Sequence, residues 1–237
     1  MFQKRSEEKE FLDDFQCEGE DLKQNLRELK FINKWLGGND VTFSGLEKAL
    51  KNNPLNNSTI KIADLGCGGG DILALIAKWG RRKKVTLSLT GIDANEFIIN
   101  YAKQNTAAYP EIQYEKANVF SEEFSRMKFD IVNCTLFCHH LDDDSLVKLF
   151  SQLKNQIHIA IVINDLHRNW FAYYSINWLT KFFSRSYMVK NDAKLSVLRG
   201  FNRKELETII RKSGFSNFSI RWKWAFRWEV VINSGKK

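Results

Sequence analysis

The sequence is poor in proline and cysteine and contains no long apolar stretch. Among its 237 residues there are two prolines and four cysteines. No segment resembles a linker, so we expect one domain with small additions. Four cysteines do not make a disulfide framework, which favours a reducing cytoplasm. The charged start, MFQKRSEEKE, lacks the apolar core of a secretory signal, and without a run of about 18 apolar residues no membrane span is expected.

Positive charge is the feature that the composition does supply. A net charge of +8 raises nucleic-acid binding as a hypothesis. The basic residues are scattered, however, and the densest run, Arg81–Lys84, follows an amphipathic segment. Because cations are favourable at the C-terminal end of a helix dipole, a solvated helix end explains this run better. Hydrophobic residues make up 43% of the chain, enough for a core.

Strand-like and helix-like segments alternate over the first two thirds of the chain. This alternation predicts βαβ units, and therefore a parallel sheet covered by helices on both faces. A preceding helix ends at Gly37-Gly38, a helix-stop signal. The predicted strands are 60–65, 85–92, 112–117, 129–134 and 157–163, and the predicted helices are about 18–36, 71–79, 96–108 and 145–154.

The last third is rich in aromatic residues. Its pattern predicts a helix at 169–183, a loop at 184–199, a helix at 202–212 capped by Asn202 with Glu205, and strands at 215–221 and 223–232. Around the last strand, period two predicts one aromatic and one basic face. An aromatic face packed under a helix is the favoured interpretation. The aromatic positions are Trp222, Trp224, Phe226 and Trp228, and they alternate with Arg221, Lys223, Ala225 and Arg227.

A glycine-rich loop is the strongest motif. Asp64-Leu-Gly-Cys-Gly-Gly-Gly-Asp71 lies between the first predicted strand and its helix, and its glycines permit close approach of the backbone to a ligand. The next strand ends at Asp93, near the spacing at which an acid binds the hydroxyls of an adenosine ribose. The loop and the acid together are much more specific than the loop alone.

The cofactor that suits this loop has no phosphates. The dinucleotide pattern G-x-G-x-x-G, counted from Gly66, ends on Asp71, whose carboxylate would oppose a pyrophosphate at the helix N-terminus. A P-loop is excluded because no Gly-Lys-Ser/Thr follows. S-adenosylmethionine offers a ribose, an adenine, a sulfonium cation and an amino-acid zwitterion, so acidic groups would favour it.

The loop resembles motif I of the class I S-adenosylmethionine-dependent methyltransferases. Asp93 matches their ribose acid, and Lys116-Ala-Asn-Val119 stands where the family meets the adenine. Asn118 departs from the usual Asp, although an amide oxygen can still accept from the adenine amino group. Residues 129–134 resemble the fourth motif. The resemblance covers roughly residues 58–165, and the two terminal strands match the closing antiparallel hairpin.

The resemblance implies the fold and the cofactor contacts. The fold is a Rossmann-like seven-stranded α/β sheet in the order 3-2-1-4-5-7-6, with the last strand antiparallel. At the carboxyl edge, Cys134, Thr135 and Phe137 are expected beside the methionine half of S-adenosylmethionine, whose product is S-adenosylhomocysteine. The other implied cofactor contacts are Asp64, Gly66, Cys67, Gly68, Gly70, Asp93, Ala94, Asn118 and Val119.

Three further segments are similar to a bacterial subgroup of small-molecule methyltransferases that often accompany polyketide or phenolic-lipid synthesis. These segments are 32–38, 164–168 and 195–201. We expect residues 1–50 to form a helical cap or lid and 51–237 the methyltransferase domain, with 169–201 as an insert that forms the acceptor pocket. Deleting residues 1–40 should weaken cofactor binding if the lid closes over it. A monomer or homodimer and peripheral lipid contact are both compatible with this reasoning.

The stretch Cys134-Thr-Leu-Phe-Cys-His-His-Leu-Asp-Asp-Asp144 looks like a metal site by composition. Consecutive side chains of an extended segment point to opposite faces, so residues 138–140 would not share one ion, and no metal is expected. Asp142–Asp144 suit a helix N-terminus instead. The two cysteines are expected to be small buried residues.

The candidate catalytic residues are His139, His140 and His167, which follow strands four and five at the ligand-binding edge. Methyl transfer from a sulfonium needs mainly in-line alignment without water. A phenol, with a pKa near 10, gains from a base, and a histidine can accept that proton. We therefore expect O-methylation of a small aromatic acceptor, with His140 or His167 as base. The candidate acceptor-binding residues are Arg168, Phe171, Tyr174, Trp178 and Arg199.

Three alternatives stay open at this point. The first is C-methylation of a quinone or resorcinol ring, including a ring carried by a lipid. The second is nucleic-acid methylation, although strand four lacks an N-P-P-Y type tetrapeptide. The third is cofactor binding without catalysis.

Overall fold

The computed structural model describes residues 2–51 and 59–235, and a seven-stranded sheet runs through them in the order β3-β2-β1-β4-β5-β7-β6. Neighbouring strands from β3 to β5 are parallel, whereas β7 is antiparallel to both β5 and β6. The strands are β1 (Ile60–Leu65), β2 (Leu87–Asp93), β3 (Ile112–Lys116), β4 (Phe129–Thr135), β5 (Ile157–Leu166), β6 (Phe218–Lys223) and β7 (Arg227–Asn233). The fold class expected from the resemblance is confirmed.

Helices cover both faces of the sheet. They are α1 (Glu20–Trp35), α2 (Gly38–Lys51), α3 (Asp71–Lys83), α4 (Glu96–Asn105), α5 (Glu122–Arg126), α6 (Asp143–Gln156), α7 (Trp170–Phe183), α8 (Tyr187–Arg199) and α9 (Arg203–Lys212). Short 3-10 turns lie at Phe11–Asp13 and Cys138–His140. Within residues 2–51 and 59–235, no helix is both long and apolar enough to cross a bilayer.

The helix boundaries follow the capping chemistry in the sequence. Asp142 accepts a hydrogen bond from Ser145 N at 2.7 Å and so caps α6, as predicted. Asn202 and Glu205 form the predicted capping box of α9. The basic run at Arg81–Lys83 forms the last turn of α3, where it opposes the negative end of the helix dipole.

One segment predicted as a loop is a helix. Residues 184–199 contain α8, which Ser186 caps by accepting from Val189 N at 3.3 Å. The prediction was wrong because α8 buries polar as well as apolar side chains, including Asp192 and Arg199. Buried polar residues remove the apolar stripe that helical periodicity would show.

The predicted basic face of the last strand does not form either. The alternation crosses the turn at residues 224–226, so its members belong to β6, the turn and β7. Arg227 is buried and donates to Asn33 Oδ1 at 2.7 Å. Lys223 pairs with Glu229 at 3.1 Å. The feature that motivated nucleic-acid methylation is therefore absent from this part of the described chain.

The N-terminal fifty residues divide into two parts. In α2, Gly45 packs so closely on β5 that an added Cβ would lie 2.5 Å from Val162 Cγ1, so α2 is a packing helix of the sheet. Residues 2–35, here called the N-terminal segment, instead cross the carboxyl edge of the parallel strands. Cys17 O accepts from Asn95 Nδ2 at 2.8 Å, and Ser6 N donates to Leu198 O at 3.1 Å.

Candidate functional site

The glycine loop joins β1 to α3 in the conformation that its sequence requires. Gly66, Gly68 and Gly70 all have positive φ, at 64°, 51° and 74°. An added Cβ on Gly66 would lie 2.5 Å from Phe137 Cδ2, so only glycine fits beneath that ring. Leu26 of α1 approaches the position of a Gly68 Cβ to 3.7 Å. The N-terminal segment therefore lies directly over the loop.

Two carboxylates converge on the loop. Asp93 accepts from Asn95 N at 3.0 Å and from Gly68 N at 3.4 Å, which ties the end of β2 to the loop. Asp64, at the end of β1, accepts from Asn133 Nδ2 at 2.6 Å. Burial, opposed only in part by Asn133 and reinforced by Asp93, raises the pKa of Asp64 to about 7. Burial also raises the pKa of Asp93. A cationic ligand would stabilise the charged form of both carboxylates.

An open cleft of about 550 Å³ adjoins Asp93 on the side of β3. Ala94 lies in its wall. Asn118, which follows β3, is exposed, and its Oδ1 accepts from Phe120 N at 2.9 Å. The next residue, Val119, is buried. The residues that line the cleft are Phe15, Gln16, Cys17, Glu18, Ala94, Asn95, Glu96, Phe97 and Lys116.

A chain of polar side chains runs across the sheet edge from Asp64. Asn133 Nδ2 also donates to Thr135 Oγ1 at 3.1 Å, and Thr135 shares a hydrogen bond with Thr42 at 2.9 Å. Asn164 continues the chain by donating to Thr42 Oγ1 at 2.9 Å, and buried Arg227 donates to Asn164 Oδ1 at 3.3 Å. Thr135 was predicted from the sequence as a site residue and the other four were not, because amides and hydroxyls inside apolar strands carry no motif of their own.

The cysteines are free, and three of the four are buried: Cys67, Cys134 and Cys138. Cys67 lies in the glycine loop, where burial raises the pKa of its thiol well above the usual range. Cys134 and Cys138 belong to the main apolar core beneath the site. Their expected role as small buried residues is confirmed.

The two adjacent histidines do not lie in an extended segment. They belong to the 3-10 turn at Cys138–His140, and their ring centroids are 4.2 Å apart. His139 Nδ1 is 2.7 Å from Asp165 Oδ1, and His140 Nδ1 is 2.6 Å from Asp13 Oδ1. The premise that residues 139 and 140 point to opposite faces was therefore wrong.

Glu10 completes this group, which we call the histidine cluster (Glu10, His139 and His140). Its Oε1 lies 3.6 Å from His139 Nε2, and its Oε2 accepts from Ser196 Oγ at 2.7 Å. Burial raises the pKa of Glu10 to about 7. Sequence reasoning missed Glu10 because nothing near residue 10 indicates that the N-terminal segment returns to the end of β4.

Arg199 fastens the N-terminal segment to the histidine turn. Its guanidinium donates to His139 O at 3.0 Å, to His140 O at 2.6 Å and to Glu8 O at 3.0 Å, and it pairs with Asp13. Arg199 was predicted to bind an acidic acceptor. In the structure these protein partners occupy its donors.

Arg168 and His167 lie beyond the end of β5. Arg168 is buried and pairs with Glu205 at 2.5 Å, and it also donates to Gly200 O at 2.6 Å. His167 packs edge-on against Trp228 at 5.0 Å, and burial together with Arg168 lowers its pKa. The structure therefore brings His139 and His140 together but holds His167 against a different neighbour.

The aromatic residues predicted to line an acceptor pocket lie on the outer side of α7. Phe171, Tyr174 and Trp178 are 50%, 53% and 67% exposed. The Phe171 ring contacts Phe226 at 5.7 Å, which continues the aromatic surface onto the turn between β6 and β7. We call this the outer aromatic surface; its exposed members are Trp170, Phe171, Tyr174, Trp178, Phe182, Trp222 and Trp224.

The comparisons with known proteins agree with this geometry. Residues 62–158, which hold the glycine loop, Asp93 and the histidine turn, match the family described as a methyltransferase domain. The chain carries a methyltransferase domain over residues 62–158. The resemblance inferred from the glycine loop and Asp93 is thereby confirmed, and S-adenosylmethionine is the cofactor of this family. No curated protein matches the sequence.

Several solved structures share the fold of this chain. The plantazolicin methyltransferase BpumL in complex with S-adenosylhomocysteine is 16% identical, with 89% of this chain and 87% of that chain covered and a TM-score of 0.61. The magnesium protoporphyrin IX methyltransferase of Synechocystis is 14% identical, with 86% of each chain covered and a TM-score of 0.56.

A methylating domain of a larger enzyme is also similar. The CMeT domain of the citrinin polyketide synthase is 13% identical, with 81% of this chain covered and a TM-score of 0.61. This chain spans about half of that structure's length, 51%. At these identities the likeness concerns the fold alone.

Proposed function

We propose that this chain transfers the methyl group of S-adenosylmethionine to a hydroxyl group of a small aromatic acceptor. The observation that carries the proposal is the position of the histidine cluster. Its two histidines follow β4, at the same sheet edge as the glycine loop and Asp93. Its Glu10 comes from the N-terminal segment, which also covers the glycine loop. Ligands of open α/β sheets bind at this edge.

The chemistry requires alignment more than activation. The acceptor oxygen attacks the methyl carbon, the carbon–sulfur bond breaks, the sulfonium becomes a neutral thioether and the hydroxyl proton leaves. Holding the oxygen, carbon and sulfur in line and excluding water supplies most of the rate. Since a phenol has a pKa near 10, loss of its proton needs help. We assign that help to the histidine cluster, with Asp13 and Asp165 fixing the two rings.

Turnover of single variants tests this assignment. Replacing His139 or His140 by Gln should lower turnover by about 100-fold, the usual contribution of general acid–base assistance. His158→Gln is the matched control, because His158 is exposed on β5. His167→Gln tests the other base named from the sequence. Unchanged turnover in the His139, His140 and His167 variants would overturn the base hypothesis.

The outer aromatic surface favours a second candidate, C-methylation of a quinone or resorcinol ring that carries a lipid chain. Exposed aromatic residues contact apolar chains well and suit interfaces that are part wet and part apolar. Mass spectrometry and NMR of the methylated product separate oxygen from carbon methylation. A carbon-methylated product would replace the first proposal by this one.

The N-terminal segment supports the proposed lid over the cofactor. Leu26 meets the glycine loop, and Lys30 pairs with Asp71 at 2.5 Å, at the first residue of α3. Since Leu22 and Leu26 also pack with Ile98, deleting residues 1–40 would expose apolar surface. Lys30→Met is therefore a gentler test, and we expect it to speed the dissociation of S-adenosylhomocysteine.

A further inference from the structure

The histidine cluster has the donor set of a metal site. One carboxylate oxygen of Glu10 and one ring nitrogen each of His139 and His140 lie within 4.8 Å of one another. The Glu10 Oε1 to His139 Nε2 distance of 3.6 Å is close to that between two ligands of one ion, about 3.4 Å for zinc at about 2.1 Å from each. A modest adjustment of the His140 side chain would bring its ring nitrogen equally close to the other two ligand atoms.

Both imidazoles are held as metal-binding histidines usually are. Asp165 contacts Nδ1 of His139, and Asp13 contacts Nδ1 of His140. A carboxylate on one ring nitrogen fixes the tautomer, orients the ring and leaves the other nitrogen free to coordinate. Neither carboxylate is adjacent in sequence to its histidine. The fold brings Asp13 from the N-terminal segment and Asp165 from the end of β5, and these two carboxylates hold the ligands from behind.

Glu10 supplies an independent observation. The residue is only 4% exposed, yet Oε1 has no hydrogen-bond partner among the described residues. Buried polar atoms are nearly always bonded, so this oxygen, facing His139 Nε2, calls for a partner. The charge agrees: Glu10, Asp13 and Asp165 surround the two imidazoles, Arg199 pairs with Glu10 and Asp13, and Arg227 interacts with Asp165. A divalent cation would offset the remaining negative charge.

We propose that Glu10, His139 and His140 bind one divalent transition-metal ion of the zinc class. Two imidazoles and one carboxylate are a common ligand set for zinc in catalytic sites, where the fourth position stays open. Binding of the ion does not depend on the proposed function. Its role does: resting on that function, the open position receives the acceptor's hydroxyl oxygen and favours loss of its proton, in place of a histidine base.

The test is metal binding to the full chain. Protein dialysed against a chelator is titrated with Zn²⁺ by calorimetry and with Co²⁺ by visible absorption. We expect one tight equivalent. Glu10→Gln and His140→Gln should each raise the dissociation constant by about 100-fold or more, and Asp165→Asn by about 10- to 100-fold, as outer-layer substitutions do. Far-ultraviolet circular dichroism and melting temperature check that each variant is folded.

Matched controls separate this site from other ligands of the chain. His158→Gln removes an exposed histidine and Cys17→Ser removes the one cysteine that is not buried, so neither should change the affinity. Absence of metal binding to the wild type would overturn the proposal. So would a wild-type affinity in Glu10→Gln and His140→Gln, because the bound metal would then be an adventitious ion only.

S-adenosylhomocysteine binding and methyl transfer are measured on the same samples. Methyl transfer that persists without any metal binding overturns the metal site and leaves the proposed function standing. Tight metal binding at the cluster with no methyl transfer to any acceptor supports the site and counts against the proposed function.

Discussion

The proposed cofactor half and the proposed acceptor half of this molecule are built in different ways. The cofactor half joins Asp64, the glycine loop and Asp93, which follow one another within 30 residues of chain and meet at the ends of adjacent parallel strands. The acceptor half joins partners far apart in sequence, such as Asp13 and His140 at a separation of 127 and Glu8 and Arg199 at 191. The first half follows from local motifs, whereas the second exists only once the chain has folded.

The largest expected effect comes from replacing Arg199, which joins distant segments in the proposed acceptor half. Arg199→Met removes, in a buried place, one hydrogen-bond donor each from Asp13 and from the carbonyls of His139, His140 and Glu8. Removing one partner of a buried charged pair costs about 3–5 kcal/mol, and we expect that loss in the free energy of unfolding by urea. Arg203→Met, at an exposed helix pair, should cost less than about 1 kcal/mol. Equal losses in the two variants would contradict this account.

That contrast explains how much the sequence could reveal. The sheet, its order and the helices α3, α4, α6, α7 and α9 follow from hydrophobic periodicity, capping residues and the family resemblance. Periodicity failed at α8, where buried Asp192 and Arg199 interrupt the apolar stripe. It also failed at the last hairpin, because alternation across a turn looks the same as alternation along a strand.

The site divides along the same line. The glycine loop and Asp93 were identified because their spacing is set by one βα unit. Glu10 and Asp13 were missed because their partners lie beyond more than a hundred residues of chain, and no local pattern specifies which sheet edge a terminal segment will cross. The histidines were identified as residues, but their mutual geometry was not, since a 3-10 turn and an extended segment are hard to separate over three residues.

The next prediction concerns how the charge of Asp64, in the proposed cofactor half, affects stability at different pH values. Asp64 has a pKa raised to about 7, so the folded protein holds this proton more tightly than the unfolded chain does. The stability from this proton is present at acid pH and is lost as pH rises from about 4 through 7. In Asp64→Asn the loss disappears, so the free energy of unfolding of the variant should rise relative to wild type by about 2–4 kcal/mol between pH 4 and pH 8.

Urea unfolding at several pH values measures this difference. Asp130→Asn is the matched control, because Asp130 lies half-buried on β4, where it accepts from Lys61 N of β1 at 2.8 Å. This variant separates the effect of Asp64 from the effect of replacing any carboxyl group of the sheet. The same slope in wild type and Asp64→Asn would show that this carboxyl is not held protonated.

A smaller effect separates ligand binding from stability within the cofactor half. Asp93→Asn removes the carboxylate proposed to bind the ribose hydroxyls. Hydrogen bonds to a charged group contribute about 1.5–3 kcal/mol, so the dissociation constant of S-adenosylhomocysteine should rise by about 10- to 100-fold in calorimetry. Glu122→Gln, a charge removed from the exposed surface of α5, should leave it unchanged. An unaffected Asp93→Asn would place the ribose elsewhere.

The smallest effect probes α8, which supports the acceptor half. Ser186→Ala removes the cap that accepts from Val189 N and should cost about 1 kcal/mol in the free energy of unfolding. Ser219→Ala on β6 is the comparison variant and should have a smaller effect. If residues 184–199 were a loop, as the sequence suggested, the two variants would behave alike.

Transfer of a labelled methyl group tests the central claim most directly. The wild-type chain, Asp93→Asn and Glu10→Gln are each incubated with methyl-labelled S-adenosylmethionine and a panel of phenols, resorcinols and quinones. We predict a labelled aromatic product with the wild type, loss of turnover in both variants, and weakened S-adenosylhomocysteine binding in Asp93→Asn alone. A wild-type chain that binds S-adenosylhomocysteine but labels none of these acceptors, or a Glu10→Gln variant that works at the wild-type rate, would contradict the account.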